Sequence, residues 1–327
     1  MKEIRKASSL ERLYKNDSHP ISEDAPELIF MRAVCAGDIE KAVGLFEEEK
    51  LFGGGKTAVD APHGRFEGRE GIRQFAETLP DWFHAIRAEA VPVIQTRANG
   101  RSITELVVNF ETEEWIDQVP MFVIGDLRTP TTLDEVRIYF HCTYLPQITP
   151  YRKPIFQASH LEMGEPGLLT GAVREYYEAL HHVPSADVDR ILGAMEDHCL
   201  FGGYEPLKEG EHEVSNKDEM RKKFEHMATY IPRCVGMRYE TLTDDGKNCI
   251  IEWVHIVSEA GQKELSRVAL SGVAAYERGE SGLLCAVRIS DYAGYERQID
   301  WNKAGISKEE AYFINLVKEF PAGVMQR

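Results

Sequence analysis

The chain has 327 residues, 43% of them hydrophobic, and a formal net charge of −16. That acidic surplus excludes a broad nucleic-acid surface, which needs clustered Lys and Arg. No run of about 18 apolar residues marks a membrane-spanning helix, and the charged opening "MKEIRKASSLERLYKNDSHP" lacks the apolar core of a secretory signal. Six cysteines (Cys35, Cys142, Cys199, Cys234, Cys249, Cys285) without CxxC spacing read as free thiols of a reducing cytoplasm, with no zinc site.

In chain order, residues 1–25 form an N-terminal extension. "PELIFMRAV" then reads as a helix. "GDIEKAVGLFEEE" follows, with Ile39, Ala42, Val43 and Phe46 on one helical face and Asp38 as its N-cap. "KLFGGGK" comes next, its glycines suited to a tight or positive-φ corner between helix and strand. It is not a phosphate loop, since no GxxxxGK[ST] follows a strand. "VDAPHGRFEG" places Asp60 and His63 on a loop, read as surface polar groups. "EGIRQFAETL" sets Ile72, Phe75, Ala76 and Leu79 on one helical face. The runs "SITELVVNFETEEWI", "VPMFVIGDL" and "LDEVRIYFHCTYL" are rich in Val, Ile and aromatics and read as strands. His84 and His141 join no HxH or HExxH pattern, so no metal is predicted.

Residues 151–168 are a proline-bearing linker, and the order then starts again. "GAVREYYEALHHV" places Val173, Tyr176, Tyr177 and Leu180 on one stripe, with His181 and His182 capping its end. "ADVDRILGAMEDH" repeats the second helix through Val188, Ile191, Leu192 and Met195, capped by Asp187. "CLFGGYE" repeats the corner, 149 residues after the first copy. "DEMRKKFEHM" places Met220, Phe224 and Met227 on one face. "NCIIEWVHIVSE", "SRVALSGVAAYE" and "LLCAVRISDYAGY" are the strands. Val136-Arg137-Ile138 matches Val287-Arg288-Ile289, and Tyr144 matches Tyr295. A tail, 301–327, reads as a helix capped by Ser307. A repeat this long is a duplicated whole domain, over 26–150 and 169–300, not a solenoid.

Helices followed by long antiparallel strands are an α+β order. The expected architecture is two tandem cone-shaped curved antiparallel sheets, each wrapped by about three helices, arranged as a pseudo-dimer packed through the sheets. The segments "AGDIEKAVGLFEEEKLFGG…RFEGREGIRQF" and "REYYEALHHVPSADVDRILGAMEDHCLFGG…VRISDY" resemble the nuclear-transport-factor-two-like superfamily, in particular SnoaL-like polyketide cyclases and steroid-isomerase-like proteins. That fold hosts isomerases, dehydratases, epoxide hydrolases, cyclases and plain binding modules.

The resemblance carries sites over unevenly. The carboxylate base of steroid-isomerase-like enzymes falls at Gly54 and Gly203, its tyrosine at Phe30 and Tyr176, and its acidic donor near Gly272. The limonene-epoxide-hydrolase-like strand motif falls at Trp253 and His255, with its second acid at Asp291 in "ISDYAGY". In the first half these places are Leu106, Val108 and Phe140. Only the second half can titrate there. His255 is therefore expected to transfer the proton, Asp291 to orient it, and Tyr176 to donate to a substrate oxygen. Trp253, Tyr292, Arg288 and Tyr295 are expected to bind substrate. Arg137 and Arg288, at one position in both halves, read either as a carboxylate or phenolate clamp in each pocket or, the favoured reading, as a pseudo-symmetric ion pair across the domain interface.

The function expected is a cofactor-free isomerase, lyase or hydrolase for a small, apolar, oxygenated molecule of steroid, terpenoid or polyketide type. The alternative is a small-molecule-binding or assembly protein of the same fold. Neither nucleic acid nor membrane is an expected partner, and association beyond the internal pseudo-dimer is left open.

Overall fold

A computed structural model describes residues 2–5, 20–47, 56–141, 168–180, 182, 185–203, 214, 216–228, 234–258, 267–291 and 318–319, with the backbone alone at 5, 203, 234–240, 254–258, 267–271, 291 and 318–319. The described elements fall into two compact units. The first holds β1 (Glu3–Arg5), α1 (Pro26–Ala36), α2 (Ile39–Gly44), β2 (Ala58–Ala61), β3 (Gly64–Glu67), α3 (Gly68–Trp82), β4 (Arg87–Ala98), β5 (Arg101–Glu111), β6 (Trp115–Thr129) and β7 (Thr132–Tyr139). The second holds α4 (Gly171–Leu180), α5 (Val188–Gly193), β8 (Met195–Gly203), α6 (Lys217–Ala228), β9 (Cys234–Asp244), β10 (Asn248–Ser258), β11 (Arg267–Arg278), β12 (Leu284–Asp291) and β13 (Lys318–Glu319).

The two sheets are built alike. In the first the order is β3-β2-β7-β6-β5-β4; in the second it is β13-β9-β10-β11-β12-β8. The four long strands run antiparallel in each, and the strand after the second helix lies parallel to the last strand, β2 on β7 and β8 on β12. The class is the α+β one expected, in tandem.

The helices form where the apolar spacing puts them. Ile72, Phe75, Ala76 and Leu79 of α3 are all buried, as are Met220 and Phe224 of α6. Pro26 opens α1, where its missing N–H costs nothing, and Gly37 closes it at φ 70°. Asp38 and Asp187 cap α2 and α5, their carboxylates accepting from the Lys41 and Arg190 backbone N–H groups. Both helices are shorter than expected, ending at Gly44 and Gly193. Phe46 forms a bridge to Leu133, and Met195 starts a strand instead of completing a helical face.

The "LFGG" of the second copy is also not a corner. Leu200–Gly203 lies in β8, with Gly202 and Gly203 paired to Arg288 and Ile289. The first copy, residues 151–167 of the linker and Ser307 lie outside the described residues. Of the tail, Lys318–Glu319 pairs with β9 as a strand.

Each core lies between helices and one face of the sheet. In the first unit Phe30, Phe75, Leu106, Val108, Met121, Val123, Ile138 and Phe140 meet there. In the second, Tyr176, Phe224, Ile251, Trp253, Ala274, Tyr276 and Val287 do.

The opposite face is buried too, and it holds matching charge networks. Arg137 donates to both oxygens of Asp126 at 2.6 and 2.9 Å, and Arg101 Nε donates to Asp126 Oδ1 at 3.1 Å. In the second unit Arg288 donates to Glu277 at 2.7 Å and to Asn248 at 3.5 Å. One interval separates Arg137 from Arg288 and Asp126 from Glu277; another separates Arg101 from Asn248 and Glu105 from Glu252. Both arginines thus tie the last two long strands of their own unit together, a structural role within each unit, whereas the sequence points to an ion pair across the domain interface.

Register exposes an exchange between the copies. Gly125 pairs with Ser102, and Tyr276 with Cys249 at the matching place. A Cβ on Gly125 would come within 2.7 Å of Leu133 Cδ2 and 3.1 Å of Glu27 Cβ. The glycine makes room for Glu27, whose Oε1 accepts from the Ser102 and Thr104 hydroxyls at 2.8 and 2.7 Å. The second unit has apolar Val173 in place of Glu27 and fills the space with the Tyr276 ring. Gly125→Ala is expected to destabilise the first unit by about 1–3 kcal/mol, the usual cost of overpacking a filled core. Denaturant titration checks this; an unchanged midpoint would mean that Leu133 yields freely.

Candidate functional site

The helix-covered face of the second sheet collects most of the residues that the sequence singles out. Tyr176 is buried on α4, its ring 5.3 Å from Tyr276, 5.7 Å from Tyr177 and 6.0 Å from Phe224. The Tyr276 hydroxyl donates to that of Tyr177 at 2.9 Å, and burial pushes the Tyr276 phenol above its ordinary range. This hydroxyl pair was not anticipated. Its one sequence signal is the pair of adjacent tyrosines on an amphipathic stripe.

Trp253 lies in the same core, on β10. Gly272 of β11 pairs with it, and Asp291 of β12 pairs with Gly272. His255, two residues beyond Trp253, pairs with Leu270. Alternation along a strand puts His255 on the face of Trp253, and pairing across strands keeps Asp291 on that face. The two backbones are two strands and one row apart, on the order of 10 Å. His255 and Asp291 therefore flank the surface over Gly272 from two sides.

Arg288 does not join them. It alternates with Val287 and Ile289 onto the opposite face, where Glu277 and Asn248 hold it. Its expected substrate role is corrected by this geometry. Tyr292 and Tyr295 lie outside the described residues. So does His181, while the His182 ring reaches the Ser185 carbonyl at 3.2 Å.

The first unit is apolar at the corresponding places. Phe30, Leu106, Val108 and Phe140 are all core residues. Phe83 stacks on Phe110 with ring centroids 3.9 Å apart and meets Phe140 edge-on at 5.7 Å. Gly54 lies outside the described residues.

Titratable groups of the first unit lie elsewhere. Burial raises the Glu27 carboxyl above its ordinary value, against the lowering effect of the Thr104 and Ser102 hydroxyls. Asp60 is not the surface group expected: it is buried on β2 and pairs with Arg65, which also grips Glu135 through two bonds of 3.0 and 3.1 Å. His63, in the turn between β2 and β3, packs among Phe66, Phe75 and Trp82 at 5.4, 5.8 and 5.1 Å. Both its ring nitrogens are buried without a hydrogen-bond partner.

Burial lowers the His63 pKa to about 4. The folded value lies below the unfolded one near 6.5. The stability tied to the neutral ring is full above pH 6.5 and is lost as pH falls toward 4. His63→Phe keeps the aromatic packing and removes the titration. It is expected to flatten the dependence of stability on pH by about 2–3 kcal/mol between pH 7.5 and 4.5. Urea midpoints at the two pH values read this, and an unchanged slope would assign the loss to another group.

Among the described residues no group of three or more His, Cys, Asp or Glu is arranged to hold a metal ion, and no helix is long and apolar enough to cross a membrane.

No family model matches the chain, and no curated protein matches it. Solved structures do. An NTF2-like protein from Cytophaga hutchinsonii is similar at 13% identity and a TM-score of 0.28, over 38% of this chain and 96% of that one. A protein with a ketosteroid isomerase-like fold from Catenulispora acidiphila is similar at 15% identity and 0.31, over 37% and 90%. A SnoaL-like protein from Shewanella putrefaciens is similar at 8% identity and 0.31, over 42% and 90%.

Proposed function

We propose that the second unit is the reactive half of a cofactor-free enzyme that moves protons on a small, largely apolar, oxygenated molecule, by isomerisation, dehydration or hydration. The supporting observation is the register: one face of one sheet carries Trp253, His255 and Asp291 around Gly272, with Tyr176 and the Tyr177–Tyr276 hydroxyl pair in the same core. Imidazole exchanges protons near neutral pH. A carboxyl group on the far side of the ligand supplies the second proton site that an isomerisation or elimination needs. A tyrosine hydroxyl stabilises oxygen charge as it develops.

The test is turnover of β,γ-unsaturated ketones, β-hydroxy ketones and epoxides on steroid and terpenoid frames. Enone absorbance follows the first two, and deuterium uptake from solvent follows proton exchange. Turnover above the buffer rate in at least one class is expected. Saturable binding of these compounds without turnover of any would replace this reading with that of a binding protein.

A further inference from the structure

The duplicated strands allow the two helix-covered faces to be compared row by row. In the first unit Leu106 pairs with Met121, and Phe140 follows β7 at the next place across. The matching row in the second unit is Trp253, Gly272 and Asp291. One row on, Thr104, Val123 and Ile138 correspond to Ile251, Ala274 and Ile289. The third row sets Ser102, Gly125 and Val136 against Cys249, Tyr276 and Val287. Side-chain volume has moved along the middle strand. It is added at Tyr276 and removed at Gly272 and Ala274, at the end where His255 and Asp291 lie. Gly272 is buried and interrupts the row between an indole and an acid.

We infer that Gly272 is the specificity-determining residue of the second unit: its missing side chain seats a flat, uncharged ring system against Trp253, with the ligand's oxygen toward the His255 and Asp291 positions. This rests on the site proposed above and adds the shape of its occupant. Trp253 supplies a flat apolar wall, the form that suits stacking on a ring. Methionine at the same place in the first unit belongs to a fully buried core, so the fold accepts that side chain at this register position.

The test uses the full chain and 2-naphthol, a flat phenol, with binding measured by calorimetry. Saturable binding to the wild type is expected. Gly272→Met, which copies Met121, is expected to weaken it at least tenfold with the circular dichroism spectrum and unfolding midpoint retained. Ala274→Val, which copies Val123, is the milder second variant and should weaken it several-fold; it decides the matter if Gly272→Met does not fold. A folded Gly272→Met protein, or Ala274→Val where that decides, that binds 2-naphthol like the wild type overturns the inference, and so does a wild type that shows no saturable binding. Binding lost in the variants of a wild type that turns nothing over would leave this inference standing while the catalytic reading fell.

Discussion

Replacement of His255 by alanine is expected to lower turnover by roughly 10²–10⁴-fold, the usual contribution of a positioned acid–base group. That is about 3–5 kcal/mol of transition-state stabilisation. Affinity for substrate should change much less, because the apolar wall of Trp253 and the seat over Gly272 stay in place. A parallel fall of kcat and kcat/KM is the signature of an interaction made only in the transition state. His255→Asp is the informative partner variant. It supplies the carboxylate that epoxide-hydrolase-like strands carry at this place and should recover part of the loss. A well-folded His255→Ala protein that turns over like the wild type would remove His255 from the chemistry.

The second large effect concerns stability. Asp126→Ala takes away the shared partner of two buried arginines. Arg137 loses two hydrogen bonds, and Arg101 loses the one from its Nε. Glu135 stays 3.7 Å from Arg137, farther than the bonds to Asp126 that are lost. Breaking a buried pair from one side typically costs about 3–5 kcal/mol, because the remaining charge is left without compensation. Asp126→Asn should cost less, since it keeps an acceptor. Glu277→Ala should also cost less, because Arg288 keeps Asn248 in reach. Urea unfolding followed by circular dichroism measures all three. Equal losses for Asp126→Ala and Glu277→Ala would show that the second arginine, Arg101, adds nothing to the first network.

The helices were the legible part of the fold. Their apolar spacing and capping aspartates are local, so α1, α3, α4 and α6 and both Asp caps stand where the pattern puts them. Of the long strands, β4 and β9 were not read. β4 carries Pro92 beside a bulge and alternates poorly, and β9 carries Gly236 and loses its alternation at the irregularity opposite Glu252 and Trp253. Both lean on pairing that sequence alone does not display. "LFGG" misled for the same reason, since glycines that could turn can also lie in a strand when a neighbour holds them. Asp60 and His63 looked like loop groups because their partners, Arg65, Glu135 and three aromatic rings, come from several elements. The polar row of the second unit was legible in part through the comparison of copies. Which face Arg288 takes was settled only by register.

The exchange of Glu27 and Gly125 for Val173 and Tyr276 bears on how such a gene drifts. Two halves of one reading frame that began as copies are open to gene conversion, in which a short tract of one overwrites the other. A tract carrying the codon of Tyr276 into position 125, without that of Val173 into position 27, would set a phenol ring against a buried carboxyl. The two positions lie far apart along the frame, on α1 and β6. Short tracts would rarely carry both, and selection is expected to discard those that carry one. Packing thereby opposes homogenisation at these two positions.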